Sequence, residues 1–213
     1  MWYETGIMMA AAGDWTVFPR KGLGKLKFGM SAAQVDALSG TYGTVTGRGD
    51  DRIADDLLHD TLAKFGDAMS DEEKQALIAV YAEFGPSADS VTETRGNPGL
   101  VLGYRADRLV EIMPAKNQRP LVLDGKDILS LGGLESLALL ERLNGGPGRY
   151  AGTEAAFDNL AISADGFCVT DRAAEVRALD DSDERFVGRT VTLRLEPYLP
   201  EGEMDRFIYR ALR

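Results

Sequence analysis

The chain has 213 residues, with 24 Lys and Arg against 34 Asp and Glu and a formal net charge of −10. Apolar residues make up 44% and charged residues 27%, the mix of a folded globular protein rather than a disordered one. The acidic balance argues against a nucleic-acid binder, which needs a basic face. The single Cys and single His, Cys168 and His59, supply neither a disulfide framework nor a zinc site without several carboxylates.

A lone cysteine suits a reducing compartment. The opening stretch MWYETGIMMAAAGDW has only a short apolar segment, Gly6 to Gly13, preceded by Glu4 and by no Lys or Arg. A secretory signal has a basic start and a longer apolar core, and no segment reaches the roughly 18 apolar residues of a membrane helix. A cytoplasmic protein is expected, with residues 1–18 as an N-terminal arm and 19–213 as a single domain.

In chain order, Leu26 and Phe28 alternate with Lys25 and Lys27, which predicts a strand. Ser31 caps a helix bearing Val35 and Leu38, Gln34 completes a capping box, and Gly40 is the stop signal. Between about 47 and 85 the pattern is a helical hairpin. Ile53, Leu57, Leu58, Leu62 and Phe65 recur at helical spacing, with Asp50, Asp51, Asp55, Asp56 and Asp60 on the other face. Its second helix starts at Ser70, carries Asp71, Glu72 and Glu73 in the first turn, and has Ala76, Leu77, Val80, Tyr81 and Phe84 as its apolar side.

Gly85 to Pro98 reads as a loop, and Leu100 to Ile112 as a β-hairpin turning at Ala106-Asp107. A strand at Leu121 to Leu123 turns at Asp124-Gly125; a helix runs from Leu134 to Leu143 and stops at Asn144-Gly145-Gly146-Pro147-Gly148. Leu160 to Thr170 reads as a second hairpin around Ala164-Asp165-Gly166, Val191, Leu193 and Leu195 as a strand, and Met204 to Leu212 as a short helix. The expected core is Phe28, Val35, Leu38, Leu102, Leu109, Ile112, Leu123, Leu137, Leu140, Ile162, Val169 and Leu193.

The order helix, Gly-rich stop, hairpin occurs twice, with the shared Ala-Asp turns at Ala106-Asp107 and Ala164-Asp165. The expected fold is α+β: two tandem half-units of helix plus antiparallel hairpin, about 19–118 and 119–213, with the acidic helical hairpin inserted in the first. The run GLGKLKFGMSAAQVDAL, with its turn into a short helix, and the hairpin ending RLVEI resemble the half-units of the β-lactamase-inhibitory-protein and small outer-membrane lipoprotein superfamily. Similar openings occur in cytoplasmic immunity proteins of bacterial toxin systems. The resemblance covers about Gly22–Gly40 and Leu100–Ile112. It implies a sheet surface offered to another protein, without the cysteine pairs of the secreted inhibitors.

Candidate chemistry is sparse. Asp55, Asp56 and Asp60 have the DDxxxD spacing by which prenyl-transferring enzymes hold magnesium diphosphate, and Asp56 and Asp60 fall one helical turn apart. The second acidic motif of those enzymes is missing, so a small metal-dependent enzyme is the alternative reading. His59 has no evident nucleophile to activate, and Cys168, in an alternating strand, reads as a small buried hydrophobe. The glycines at 145–148 follow a helix rather than precede one, so they stop it and cradle no phosphate. Between Asp50 and Glu73 nine acids face only Arg52 and Lys64, a net of −7 of the total −10. Such a face steers a basic partner. The expected function is a protein-binding inhibitor of a cognate toxin. Asp50, Asp51, Asp55, Asp56 and Asp60 form its contact, and it uses no cofactor, metal, nucleic acid or membrane.

Overall fold

The computed structural model describes residues 12–50, 62–66, 69–84, 89–97, 99–115, 119–171, 175–200 and 202–212. The fold is α+β. Its centre is a nine-stranded antiparallel sheet built from β4 (Val45–Asp50), β5 (Ser90–Arg95), β6 (Leu100–Arg105), β7 (Arg108–Pro114), β10 (Arg149–Ala151), β11 (Glu154–Phe157), β12 (Ile162–Asp165), β15 (Thr190–Arg194) and β16 (Ile208–Tyr209). The strand order is β16-β10-β11-β12-β15-β7-β6-β5-β4. Leaving β16 aside, four strands on each side run outward in mirror order from the central β15–β7 pair, where Leu193 faces Ile112 and Arg194 faces Glu111.

The sheet has one apolar face because its side chains alternate. A single row crosses seven strands from Phe157 through Ile162, Leu193, Ile112 and Leu102 to Glu93 and Arg48. A parallel row joins Tyr150, Ala155, Ala164 and Val191. The helices cover this inner face. α1 (Ala32–Asp36) and α2 (Ser39–Tyr42) lie over one half, burying Val35 and Tyr42; α4 (Gly133–Asn144) lies over the other, burying Leu137 and Leu140. The Ser31 capping box forms as its sequence requires: the Gln34 N–H donates to Ser31 Oγ at 3.3 Å and the Ser31 N–H to Gln34 Oε1 at 2.9 Å. Asp107, at the tip of the β6–β7 hairpin, accepts the Ala32 N–H at 3.2 Å and so fixes α1 to the sheet.

Nine of the twelve expected core residues are buried; Phe28, Leu38 and Val169 pack only partly. Several local expectations are corrected. The strand expected around Leu26 is two short strands, β2 (Gly22–Leu23) and β3 (Leu26–Lys27), joined to β1 (Val17–Phe18) in a separate small sheet, and the strand expected at Leu121–Leu123 is β8 (Val122–Leu123), which turns at Asp124-Gly125 into β9 (Lys126–Asp127). Gly24 turns the chain at φ +54°, where a Cβ would lie 2.1 Å from the Asp14 carbonyl oxygen. Residues 12–18 are not part of an arm: Trp15 and Val17 sit in the core. Gly40 does not end the helical segment; it lies inside α2, and the break comes at Gly43, φ +80°. The expected 85–98 loop contains β5, because a strand with Glu93 and Arg95 facing inward hides its apolar alternation.

The second predicted hairpin does not form. β12 pairs with β11 and β15, while β13 (Cys168–Thr170) pairs with β14 (Val176–Ala178). Between them Gly166 (φ +77°) packs so closely on Arg185 and Arg189 that the chain is led away from the sheet. It returns to β15 through α5 (Glu184–Val187), capped by Asp183. The predicted C-terminal helix is a single 3-10 turn, Met204–Arg206, followed by edge strand β16. The helical insertion starts later than 47, since β4 runs to Asp50. It bridges two neighbouring strands, β4 and β5, with α3 (Asp71–Phe84) as its largest described element. Among the described residues no helix is long and apolar enough to cross a membrane.

Candidate functional site

Of the five aspartates expected to contact a partner, only Asp50 lies among the described residues. Asp50 closes β4 at the sheet edge, opposite Val91. Asp51, Asp55, Asp56 and Asp60, with His59, lie outside the described residues. The insertion's later portion follows its sequence: the Ser70 N–H donates to Glu73 Oε2 at 2.8 Å and the Glu73 N–H to Ser70 Oγ at 3.2 Å. The Ser70 N–H and the Ser70 hydroxyl, which donates to the same oxygen at 3.0 Å, hold the exposed Glu73 carboxyl below its ordinary value. Asp71, Glu72 and Glu73 are all exposed, as are Phe65 and Ile78.

The sheet's second, outward face differs between its halves. From β4 to β7 the outward row runs Gly49, Thr92, Gly103 and Glu111, and the next holds Gly47, Thr94, Val101 and Met113. These are mostly small side chains, and those from Thr92 to Met113 are half-exposed or exposed. In the β10–β15 half the same face is covered by the C-terminal segment. Arg149, wholly buried, holds that segment: its guanidinium pairs with Asp158 at 2.7 Å, donates to the Tyr198 carbonyl and stacks 4.9 Å from the centre of the Phe207 ring. The bonds to Asp158 outweigh burial and raise the Arg149 pKa.

Under this segment lies a cavity of about 180 Å³. Its floor is sheet, with Ala156, Ser163 and Thr192 in one row and Glu154, Asp165 and Thr190 in the next. Its walls are Arg194, Tyr198 and Phe207. Arg194 pairs with Glu111 at 2.9 Å, donates to Ser163 and lies 4.7 Å from the Tyr198 ring centre. Arg206 pairs with Glu154 at 2.7 Å. No sequence motif marks this site, because it draws on three strands and a C-terminal segment far apart in the chain.

A buried charged cluster sits on the inner face of the other half. Arg95 donates to Glu93 at 2.7 Å, to the Gly43 carbonyl at 2.6 Å, and to Asp36. Burial alone would lower the Arg95 pKa; its bonds to Glu93 and Asp36 raise it instead. Burial, and then the Glu93 charge, push the Tyr104 hydroxyl up. Arg48 reaches in to 3.9 Å from Glu93 Oε2, an oxygen with no hydrogen bond. The cluster balances two acids against two arginines and ties α1 and α2 to the sheet, which is a structural role.

Cys168 is fully buried, and burial, with Asp165 nearby, pushes its thiol up to about 12. It is a packed hydrophobe and not a nucleophile at neutral pH. Among the described residues no three His, Cys, Asp or Glu gather at metal-binding distance. Comparison with protein families, curated proteins and solved structures finds no match for this chain.

Proposed function

We propose that this protein is a binding inhibitor, an immunity protein that neutralises a cognate bacterial toxin in the cytoplasm by direct contact. The observation that carries the reading is the asymmetry of the outward face of the sheet. In the β4–β7 half, the outward row of Gly49, Thr92 and Gly103 is exposed or half-exposed beside the hairpin from which the acidic insertion springs. A flat, half-exposed sheet surface suits docking of a folded partner. The adjoining stretch of net −7 suits a basic one and speeds its approach. Asp50, Asp51, Asp55, Asp56 and Asp60 remain the proposed steering residues.

The test is co-expression with the product of the adjacent gene. Rescue of growth and a complex whose hydrogen-exchange protection maps to β4–β7 are expected. Reversing Asp51, Asp55 and Asp56 to Lys should slow association and flatten its salt dependence while the fold is kept. If that variant associates like the wild type at low salt, the insertion is not the contact. If no complex forms at all, the inhibitor reading falls. The alternative, a metal-dependent enzyme using Asp55, Asp56 and Asp60, gains nothing from the described residues.

A further inference from the structure

The nine-stranded sheet ends differently on its two sides. One edge is β16, a strand of two residues paired to β10; the other is β4, six residues long. Very short edge strands protect a sheet from pairing with another chain, and long ones invite it. Among the described residues no strand pairs with the outer side of β4, and residues 44–49 are all exposed. The register against β5 shifts once, between Val45 and Gly47. It then runs regularly from Gly47 opposite Thr94 to Asp50 opposite Val91. That regular stretch presents backbone N–H and C=O groups to a further strand.

This stretch lacks the usual guards of an edge. Gly47, Arg48, Gly49 and Asp50 include no proline and no lysine. Arg48 is drawn across its own sheet, 3.9 Å from Glu93 Oε2 and 5.9 Å from the centre of the Tyr104 ring, and so leaves the outer side of the strand uncovered. The fold does not require Gly49: its φ is not positive, and a Cβ there would meet no atom within 4 Å. A glycine inside a strand without such a need commonly marks a place where another backbone approaches closely.

Charge decides which strand fits. The chain leaving β4 carries five aspartates and one arginine between Asp50 and Asp60. A second copy of this chain, paired antiparallel about Gly49, would match Arg48 with Asp50 but would bring two such acidic stretches to one edge. Pairing along this short strand alone also buries far less than the roughly 1,000 Å² of a stable interface. A partner already docked on the outward face of β5, β6 and β7 reaches the same edge without that repulsion, because β4 borders this face.

We propose that β4 takes up an extended segment of the partner protein as an added edge strand, with a lysine or arginine of that segment beside Asp50; that the segment belongs to a toxin rests on the inhibitor reading, whereas the open edge does not. Backbone hydrogen bonds along residues 47–50 supply the attachment. The acidic chain beyond Asp50 selects a basic segment and speeds its arrival.

The test is an NMR titration of the full chain, with amide hydrogen exchange, using the capped peptide Lys-Thr-Tyr-Thr-Tyr-Thr-Lys. Binding should slow exchange within residues 47–50 and leave the opposite edge, β16, unchanged. N-methylation of the five central peptide residues removes their donors and should abolish binding. Glutamate in place of both lysines should weaken it about tenfold at low salt, with the gap closing at high salt. Asp50→Lys should shrink the preference for the lysine peptide several-fold, and unchanged amide spectra in β5, β6 and β7 verify its fold. No binding at millimolar peptide, binding that survives N-methylation, or equal binding of the two charge forms would overturn the proposal. Dimerisation that protects β4 in the free protein would also overturn it, since a second copy would then fill the edge. Peptide pairing at β4 without any toxin complex would keep the edge and sink only the inhibitor reading. A toxin complex that leaves residues 47–50 unprotected would keep that reading and sink the edge.

Discussion

The two halves of the sheet solve the same packing problem differently. In the β10–β15 half, the inner row of Tyr150, Ala155, Ala164 and Val191 is apolar and lies under the twelve-residue helix α4. In the β4–β7 half, the covering helices α1 and α2 have five and four residues. There the inner row turns from Leu102 to Glu93 and Arg48, and Arg95 spans from strand to helix. Short helices cannot lay apolar side chains over the outermost strands, so a charged clamp fills the gap. The buried arginine of the other half, Arg149, sits on the opposite face and pins the C-terminal segment. The long connections also differ: residues 51–89 leave one end of the sheet between β4 and β5, and residues 166–189 leave the other end between β12 and β15.

Breaking the clamps separates the halves most sharply. Arg95→Met leaves buried Glu93 with only Arg48, 3.9 Å away, and without the hydrogen-bonded cation, and should cost about 3–5 kcal/mol in urea unfolding. Adding Glu93→Leu should restore most of that, because an apolar replacement of both partners removes the desolvated charge. Arg149→Met should cost less, about 1–3 kcal/mol, since the Asp158 side chain is 32% exposed and can be hydrated. That variant should instead free residues 195–212 for limited proteolysis. An Arg149 variant less stable than the Arg95 variant would contradict the contrast between a dry and a wet ion pair.

Cys168 reports on the dryness of the second half. Its folded pKa, about 12, lies above the ordinary thiol value near 8.5. A raised acid stabilises fully below the unfolded pKa and loses that contribution as pH rises toward the folded one. The wild-type advantage over Cys168→Ala should therefore shrink between about pH 8.5 and 12, by up to about 1.4 kcal/mol per pH unit. A thiol reagent at pH 8 should label Cys168 only in denaturant; rapid labelling of the native protein would show that this interior is open.

The elements legible in the sequence are those whose signals are local. The capping box at Ser31, the Asp124-Gly125 turn, helix α4 and the β6–β7 hairpin all rest on contacts within a few residues. The illegible ones depend on distant partners. β4 and β5, VTGRGD and SVTETR, carry inward-facing Arg48, Glu93 and Arg95, and a charge facing inward reads as a solvent-facing residue until its partner is known. The turn at Asp165-Gly166 resembles that at Asp107, yet Phe167 is drawn against Phe186, ring centres 6.0 Å apart, and away from β12. The cavity under the C-terminal segment was invisible for the same reason: Asp165 and Thr190 become neighbours only in the sheet. The acidity of the insertion was plain, but a count of charges does not say where they point.

The smallest predicted effect concerns the tight hairpin that only the first half retains between its third and fourth strands. Arg105 pairs with Arg108, so Ala106 and Asp107 form a two-residue turn, and both have positive φ, 48° and 54°. That is the geometry of a type I′ turn, for which Asn-Gly is the favoured sequence. Alanine in the left-handed region carries a steric cost of about 1–2 kcal/mol, and Ala106 is exposed, so its methyl group gains no compensating burial. Its N–H donates to the Asp89 carbonyl at 2.9 Å, a bond any non-proline residue keeps. Ala106→Asn should therefore stabilise the protein by about 0.5–1 kcal/mol. Ala106→Gly should gain less, because glycine also loosens the unfolded chain. Asp107→Ala should do the opposite and cost about 1 kcal/mol, since its carboxylate accepts the Ala32 N–H at the start of α1. Denaturant midpoints for the three variants give the order Asn, Gly, wild type, Ala. If Ala106→Asn unfolds at or below the wild-type midpoint, the turn is not strained at this position.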